Sequence, residues 1–265
     1  MKWFDSHCHL QNFFKKRNLE EIFSRSEKNN VSKMTAVGTS LDDWSFYKDL
    51  SQKFTNKVYY SVGLHPCYVK ENFEEEIFSI SEFLISDHRP VAIGEVGLDY
   101  YHLPKDKSLA NRVIENQKVA FKAQIQIAQN ASLPLIIHSR DAFEDCIKIL
   151  DSSEINWNKV IFHCFSEGKH QIQKLNERGG IGSFTGIITY KKNEHLREAM
   201  KFQGIENVIL ETDCPYLSPE PKRGIENEPA NLSIIGKYIS DFTGTDIHKI
   251  SEWSFSNTCD FYNIK

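Results

Sequence analysis

Two histidines one residue apart, His7 and His9, stand in Asp5-Ser6-His7-Cys8-His9-Leu10, directly after the apolar pair Trp3-Phe4. On an extended strand alternate side chains share a face, so His7 and His9 point one way and Cys8 the other. Two imidazoles so placed can grip one divalent cation. Alone, His-x-His is a weak signal, served equally by one buried and one surface histidine. Further candidate ligands, however, close later apolar runs. His65 lies in Gly63-Leu64-His65-Pro66, Glu95 in Gly94-Glu95-Val96-Gly97-Leu98-Asp99, His138 after Leu135-Ile136-Ile137 and His163 after Val160-Ile161-Phe162. Asp213 ends Val208-Ile209-Leu210-Glu211-Thr212-Asp213. Imidazole and carboxylate suit Zn²⁺ and Mn²⁺, and carboxylate also suits Mg²⁺. His7, His9, His138 and His163 with Glu95 and Asp213 exceed what one tetrahedral ion with an open position uses. They suit two ions sharing a bridging carboxylate. Ions about 3.5–4 Å apart activate a water and stabilise both the attacking and the leaving oxygen of a phosphoryl transfer.

Residues so far apart in sequence need a scaffold that gathers strand ends. Short runs rich in Val and Ile, at 34–38, 58–63, 91–99, 133–138, 160–163, 180–184 and 207–213, alternate with segments of helical period. The predicted helices begin at Leu19 and cover 41–54 (capped by Ser40 or Asp42), 73–85, 108–130, 141–150, 169–178 and 194–202, and the tail from Glu228 is mostly helical. Strands without polar alternation are buried on both faces, as in an all-parallel sheet. Eight such βα units predict an α/β fold, a single (β/α)₈ TIM barrel over residues 1–265, with an open doubly wound sheet as the structural alternative. In a barrel the C-terminal strand ends meet at one mouth, and the candidate ligands all fall there.

The 265 residues suffice for one large core. A net charge of −4, from 32 Lys+Arg against 36 Asp+Glu, excludes a broad basic surface for coating nucleic acid. A polyanion would be held locally, by a few cations or by metal. The 6 cysteines are scattered without a Cys-x-x-Cys pair, and most sit in apolar runs, which predicts reduced core thiols in a cytoplasmic protein. No apolar run approaches a membrane span, and the N-terminus has no apolar signal segment. No membrane contact and no obligate protein partner is expected.

In order along the chain, the motifs resemble those of the TatD family of metal-dependent deoxyribonucleases. They are Asp5-Ser6-His7-Cys8-His9, Gly63-Leu64-His65-Pro66, Gly94-Glu95-Val96-Gly97-Leu98-Asp99-Tyr100, Ile137-His138-Ser139-Arg140-Asp141, His163-Cys164-Phe165-Ser166, Glu211-Thr212-Asp213-Cys214-Pro215-Tyr216-Leu217, Arg223-Gly224 and Asn227-Glu228-Pro229-Ala230. Gln117, Phe121 and Gln124 also fit the family pattern. The resemblance implies a barrel with a two-metal site. His7, His9 and Asp213 would hold one ion, His138 and His163 the other, with Glu95 bridging. It also implies cleavage of DNA from the 3′ end, with Mg²⁺, Mn²⁺ or Zn²⁺ as the metal. Ser166-Glu167-Gly168 departs from the family, in which Gly often directly follows the Ser, and this bears on substrate preference.

On this reading Asp213 takes the proton of the attacking water or is a metal ligand only. Glu95 is catalytic through the metals. His65 binds a phosphate oxygen or helps the leaving group, or is a turn histidine bonded to backbone. Arg140 and Arg223 fork onto phosphates or pair with acids such as Asp141 and Glu226. Tyr100, Tyr101 and Phe184 stack on bases or simply pack. The expected partner is DNA, as single strands or frayed 3′ ends. The alternative is an ester or amide hydrolase on the same site, such as a deacylase of aminoacyl-tRNA.

Overall fold

The computed structural model describes residues 1–16 and 18–265. Along the chain run β1 (Trp3–Cys8), α1 (Gln11–Lys15), α2 (Leu19–Lys28), β2 (Val31–Ala36), α3 (Leu41–Lys53), β3 (Val58–Val62), α4 (Phe73–Leu84), β4 (Ala92–Asp99) and α5 (Lys107–Ala131). Then come β5 (Leu135–Arg140), α6 (Phe143–Ser152), β6 (Val160–Phe162), α7 (Lys169–Asn176), β7 (Ile181–Phe184), α8 (Glu194–Gln203), β8 (Ile209–Leu210), α9 (Leu232–Thr243) and α10 (Ile247–Tyr262). All strand pairs are parallel, and the 8 strands lie side by side in sequence order. Just past the strand ends, backbone bonds from Asp213 N to His7 O (2.9 Å) and from His9 N to Cys214 O (2.8 Å) tie β8 back to β1. The result is the (β/α)₈ barrel.

Every residue of β1 and of β4 is buried, as strands covered on the outside by helices must be. Phe4, Ala92, Ile136, Ile161 and Ile209, each first or second in its strand, cluster with Val37 and Tyr262. They form an apolar floor at the N-terminal end. Each of the Phe, Ile and Val side chains among them stabilises the fold by roughly 1.5–3 kcal/mol relative to exposure. The opposite end is left for polar groups. Among the described residues no helix is long and apolar enough to cross a membrane.

Glutamines on the helices fasten the strand ends. Gln117 and Gln124, buried on one face of α5, each use both amide atoms on a single residue's backbone. Gln117 accepts from Asp99 N (3.0 Å) and donates to Asp99 O (3.2 Å). Gln124 accepts from Leu64 N (2.7 Å) and donates to Leu64 O (3.2 Å). The last residue of β4 and the chain just beyond β3 are thereby kept paired beside the mouth. Ser40 caps α3 in a reciprocal capping box with Asp43. Differences from expectation are local. β2 starts at Val31 rather than 34, a short α1 precedes α2, and β8 pairs only over Ile209–Leu210.

Candidate metal centre

His7 and His9 from β1 and its end, Glu95 from β4, His138 from β5, and His65, His163 and Asp213 from just beyond β3, β6 and β8 meet at the barrel mouth. His7 Nε2 lies 3.2 Å from His9 Nε2, 3.5 Å from Glu95 Oε2 and 3.6 Å from Asp213 Oδ1. His9 Nε2 is 3.3 Å from Asp213 Oδ1 and 3.8 Å from Glu95 Oε2. The other Glu95 oxygen, Oε1, is 2.7 Å from both His138 Nδ1 and His163 Nε2 and 3.3 Å from His65 Nε2. One carboxylate therefore faces two separate groups of rings. Local backbone makes this approach possible. A side chain at Gly97 (φ +141°) would place its Cβ 2.0 Å from His138 O, so β4 and β5 close up there only around glycine. Asp213 sits at φ +54°, a left-handed turn that aspartate tolerates, which takes the chain off β8 and over the mouth.

The ring nitrogens that face away from the centre decide what the facing ones offer. His9 Nδ1 donates to Val37 O (3.1 Å), which leaves Nε2 with a free lone pair. His138 Nε2 faces Asp99 Oδ2 at 3.0 Å, so Nδ1 is the nitrogen turned inward. His163 Nδ1 has Glu211 Oε1 behind it at 3.5 Å. A ligating histidine held by a carboxylate or carbonyl on its outer nitrogen is the usual support of a metal site. His65 is different. Its Nδ1 accepts from Cys67 N (3.1 Å), so the neutral ring carries its proton on Nε2 and presents an N–H to the centre. Burial, opposed only in part by Glu95, keeps that ring's pKa low and its neutral form favoured.

The carboxylates at the centre are balanced by histidines. Burial alone would raise the Glu95 carboxyl, but His163 and His65, with hydrogen bonds from His138 and His163, hold it well below the carboxylate range. Asp213 is likewise held down, against burial, by His9 and His7. Burial disfavours a charged His163, yet Glu95 and Glu211 raise it well above the ordinary histidine value. Among the described residues, the ion-pair partners of Glu95, Asp99, Asp213 and Glu211 are all histidines. The buried His7 Nδ1 and His163 Nδ1 have no hydrogen-bond partner, Glu211 standing behind the latter as an ion-pair partner only. Ligand atoms held 2.0–2.2 Å from a tetrahedral ion lie about 3.4 Å apart, close to the His7–His9 and His9–Asp213 spacings. The donor set fits divalent ions.

The family model for TatD related DNase matches residues 4–263. The chain belongs to the TatD family. It is similar to an uncharacterized metal-dependent hydrolase of Buchnera aphidicola, with 34% identity over 98% of each chain. It is also similar to the uncharacterized metal-dependent hydrolase YcfH of Escherichia coli, with 30% identity over 98% of this chain and 95% of that one. Among solved structures, YJJV, a TatD homolog from Escherichia coli, superimposes with a TM-score of 0.88 at 22% identity, covering 99% of this chain and 98% of that one. Like these TatD relatives, the protein is a metal-dependent hydrolase.

Around the TatD centre opens a cavity of about 930 Å³, lined by His9, His65, Glu95, His138, His163 and Asp213 and also by Arg140. Arg140 lies over the Tyr101 ring at 3.9 Å, and Tyr101 is exposed. Arg223 is not among the lining residues. The loop after β8 carries it outward, over the Tyr190 ring at 4.5 Å. Tyr100 binds Asp145 through its hydroxyl (2.8 Å). Phe184 is 1% exposed and packs on Phe165, so burial in the core withdraws it from any base. Ser166 lines the wall, and Glu167 beside it does not. Cys67 is not a core thiol; it lies exposed in the turn after His65. The sequence alone did not mark Asp99 and Glu211 as supports. Their signal was spacing: Asp99 is four residues beyond Glu95 on the same strand face, and Glu211 is two before Asp213.

Proposed function

We propose that this protein hydrolyses phosphodiester bonds of DNA from the 3′ end, using two divalent ions. In this reading His7, His9 and Asp213 hold one ion, His138 and His163 the other, and Glu95 lies between. The observation that carries it is the placement of Glu95, with Oε2 toward His7 and His9 and Oε1 2.7 Å from His138 and His163. Its setting is a chain matched end to end by the TatD related DNase family. Bound divalent ions supply Lewis acidity, which acidifies water and neutralises phosphate charge.

The chain's own residues do the rest. His65 points a fixed N–H donor into the cavity, suited to a phosphate oxygen or a departing oxyanion. Asp213, at the opposite edge, accepts the proton given up by the attacking water. Arg140, preset over Tyr101, forks onto a neighbouring phosphate, and Arg223 meets the strand further out. Exposed Tyr68, Tyr101 and Tyr216 around the mouth offer faces for unstacked bases. Such a mouth takes a chain end or a single strand more easily than the middle of a duplex.

The test is metal-supplemented digestion of 5′- and 3′-labelled oligonucleotides with free or blocked 3′ ends. Stepwise loss from free 3′ ends is expected. Equal cleavage of a circular single strand overturns the exonuclease reading. Rapid deacylation of an aminoacyl-tRNA without cleavage of any nucleic acid replaces it with the ester-hydrolase reading.

A further inference from the structure

Outside the central cluster, a second convergence of ligand-type atoms sits on the cavity rim. Cys67 comes from the turn after His65, Asp99 from the end of β4, and His102 from the loop beyond it. One ligand atom from each, the sulfur, a carboxylate oxygen and a ring nitrogen, lie within 4.8 Å of one another. We propose that Cys67, Asp99 and His102 form a third cation site, selective for a soft divalent ion such as Zn²⁺, with its open position facing the cavity.

The geometry separates this reading from the more familiar one of a Cys-His-Asp nucleophile. A catalytic relay uses both ring nitrogens, one toward the thiol and one toward the carboxylate. Here a single nitrogen, His102 Nδ1, faces both: Asp99 Oδ2 at 2.9 Å and Cys67 Sγ at 3.7 Å. Three ligand-type atoms within 4.8 Å of one another match a coordination corner once the His102–Asp99 hydrogen bond gives way to an ion. Atoms 2.0–2.3 Å from a tetrahedral ion lie about 3.3–3.7 Å apart, so small rotations of the exposed Cys67 and His102 complete the site. Burial and the neighbouring Asp99 push the Cys67 thiol up to about 12, which also removes it as a nucleophile at neutral pH. Loading the site transfers the thiol proton to solvent as the sulfur–metal bond forms, with no change of oxidation state.

Donor chemistry sets the selectivity. Thiolate with imidazole favours Zn²⁺ and Cd²⁺ over Mg²⁺, whereas the carboxylate-rich centre accepts harder ions. The carboxylate is already built in: His102 N donates to Asp99 Oδ1 at 2.9 Å, and Asp99 is 1% exposed. Asp99 Oδ2 also faces His138 Nε2 at 3.0 Å. An ion on the rim therefore competes with His138 for the same oxygen, and rim and centre are coupled.

The full chain, saturated with Mg²⁺, is titrated with Cd²⁺ while the ultraviolet thiolate-to-cadmium charge-transfer band and the bound cadmium are measured. Cys67→Ser and His102→Ala are treated in parallel, with circular dichroism to confirm folding. The wild type is expected to bind one more equivalent of Cd²⁺ than either variant and to show a band that both lack. Zn²⁺ should bleach that band, and excess Mg²⁺ should not. A band of equal size in Cys67→Ser, its retention in His102→Ala, its absence from the wild type, or bleaching by Mg²⁺ overturns the proposal. The readout involves no substrate, so it stands or falls apart from the nuclease reading.

Discussion

The two flanks of the metal centre are supported differently. On one, His9 has only the neutral carbonyl of Val37 behind it, at 3.1 Å, and the carboxylate of Asp213 is itself in the inner set. On the other, the carboxylates stand behind the rings, Asp99 at 3.0 Å from His138 and Glu211 at 3.5 Å from His163. A carboxylate behind an imidazole raises its basicity and fixes its orientation. On the proposed two-ion reading, the His138–His163 flank is expected to hold its ion more tightly and the His7–His9–Asp213 flank to exchange more readily. Glu95 is shared by both.

Glu95→Ala breaks both flanks at once. Metal content measured by elemental analysis should fall, and hydrolysis should drop by about 10³-fold or more, the scale of losing a group that acts in the transition state. Asp99→Asn acts behind the His138–His163 flank only, and Glu211→Gln acts mainly there, since a Glu211 oxygen also lies within 4.8 Å of His7. Each should weaken the tighter ion by about 10–100-fold in a chelator competition. That loss should narrow or abolish the stepwise release expected of the wild type, in which the His7–His9–Asp213 ion departs first. Gln124→Ala touches neither flank but leaves the buried backbone of Leu64, beside His65, unpaired. A loss of about 1–3 kcal/mol in urea denaturation is expected, with metal binding retained.

The smallest effect concerns pH in the metal-free protein. Burial would raise Asp99, but His138 and His102 hold its carboxyl well below the ordinary value. That contribution is complete above the unfolded value near 4 and is lost as pH falls through the folded one. For His138, burial lowers the pKa, but Asp99 and Glu95 raise it above the ordinary value. Its contribution is complete below about 6.5 and fades as pH rises through the folded value. The wild-type advantage over Asp99→Asn in denaturation midpoint should therefore peak between about pH 4 and 6.5 and shrink on both sides. A difference that stays flat from well below about pH 4 to well above about pH 6.5 would remove Asp99 and His138 as a coupled pair.

Strands and helices make some features of a site periodic, and those features were legible in the sequence. Potential ligands at the ends of apolar runs could be read because a barrel turns such ends into neighbours. The buried glutamines of α5 were visible as a pattern without a reason, since bonding to the backbone of Leu64 and Asp99 is a tertiary fact. β8 was expected over 207–213 but pairs only at Ile209–Leu210. Beyond it Thr212 N binds a side chain, Asp5 Oδ1 (2.8 Å), in place of a neighbouring strand. A buried carboxylate standing in for a ladder carbonyl leaves no periodic trace. Phe184 takes the packing alternative, and Cys67 departs from the core-thiol expectation because position in a turn after a strand does not say which way that turn faces.

The seam between β1 and β8 also sets an order of events while the chain is being made. β1 emerges from the ribosome ahead of the other strands, yet it can be sealed only by Asp213 and Cys214, and the Tyr262 hydroxyl that holds Ser6 O at 2.8 Å lies 256 residues later. N-terminal segments ordinarily fold ahead of later ones. Here His7 and His9 must wait on a half-paired strand until nearly all of the described chain has been synthesised. A growing chain therefore cannot assemble the centre early, and its hydrolytic capacity arrives in a single late step rather than by degrees.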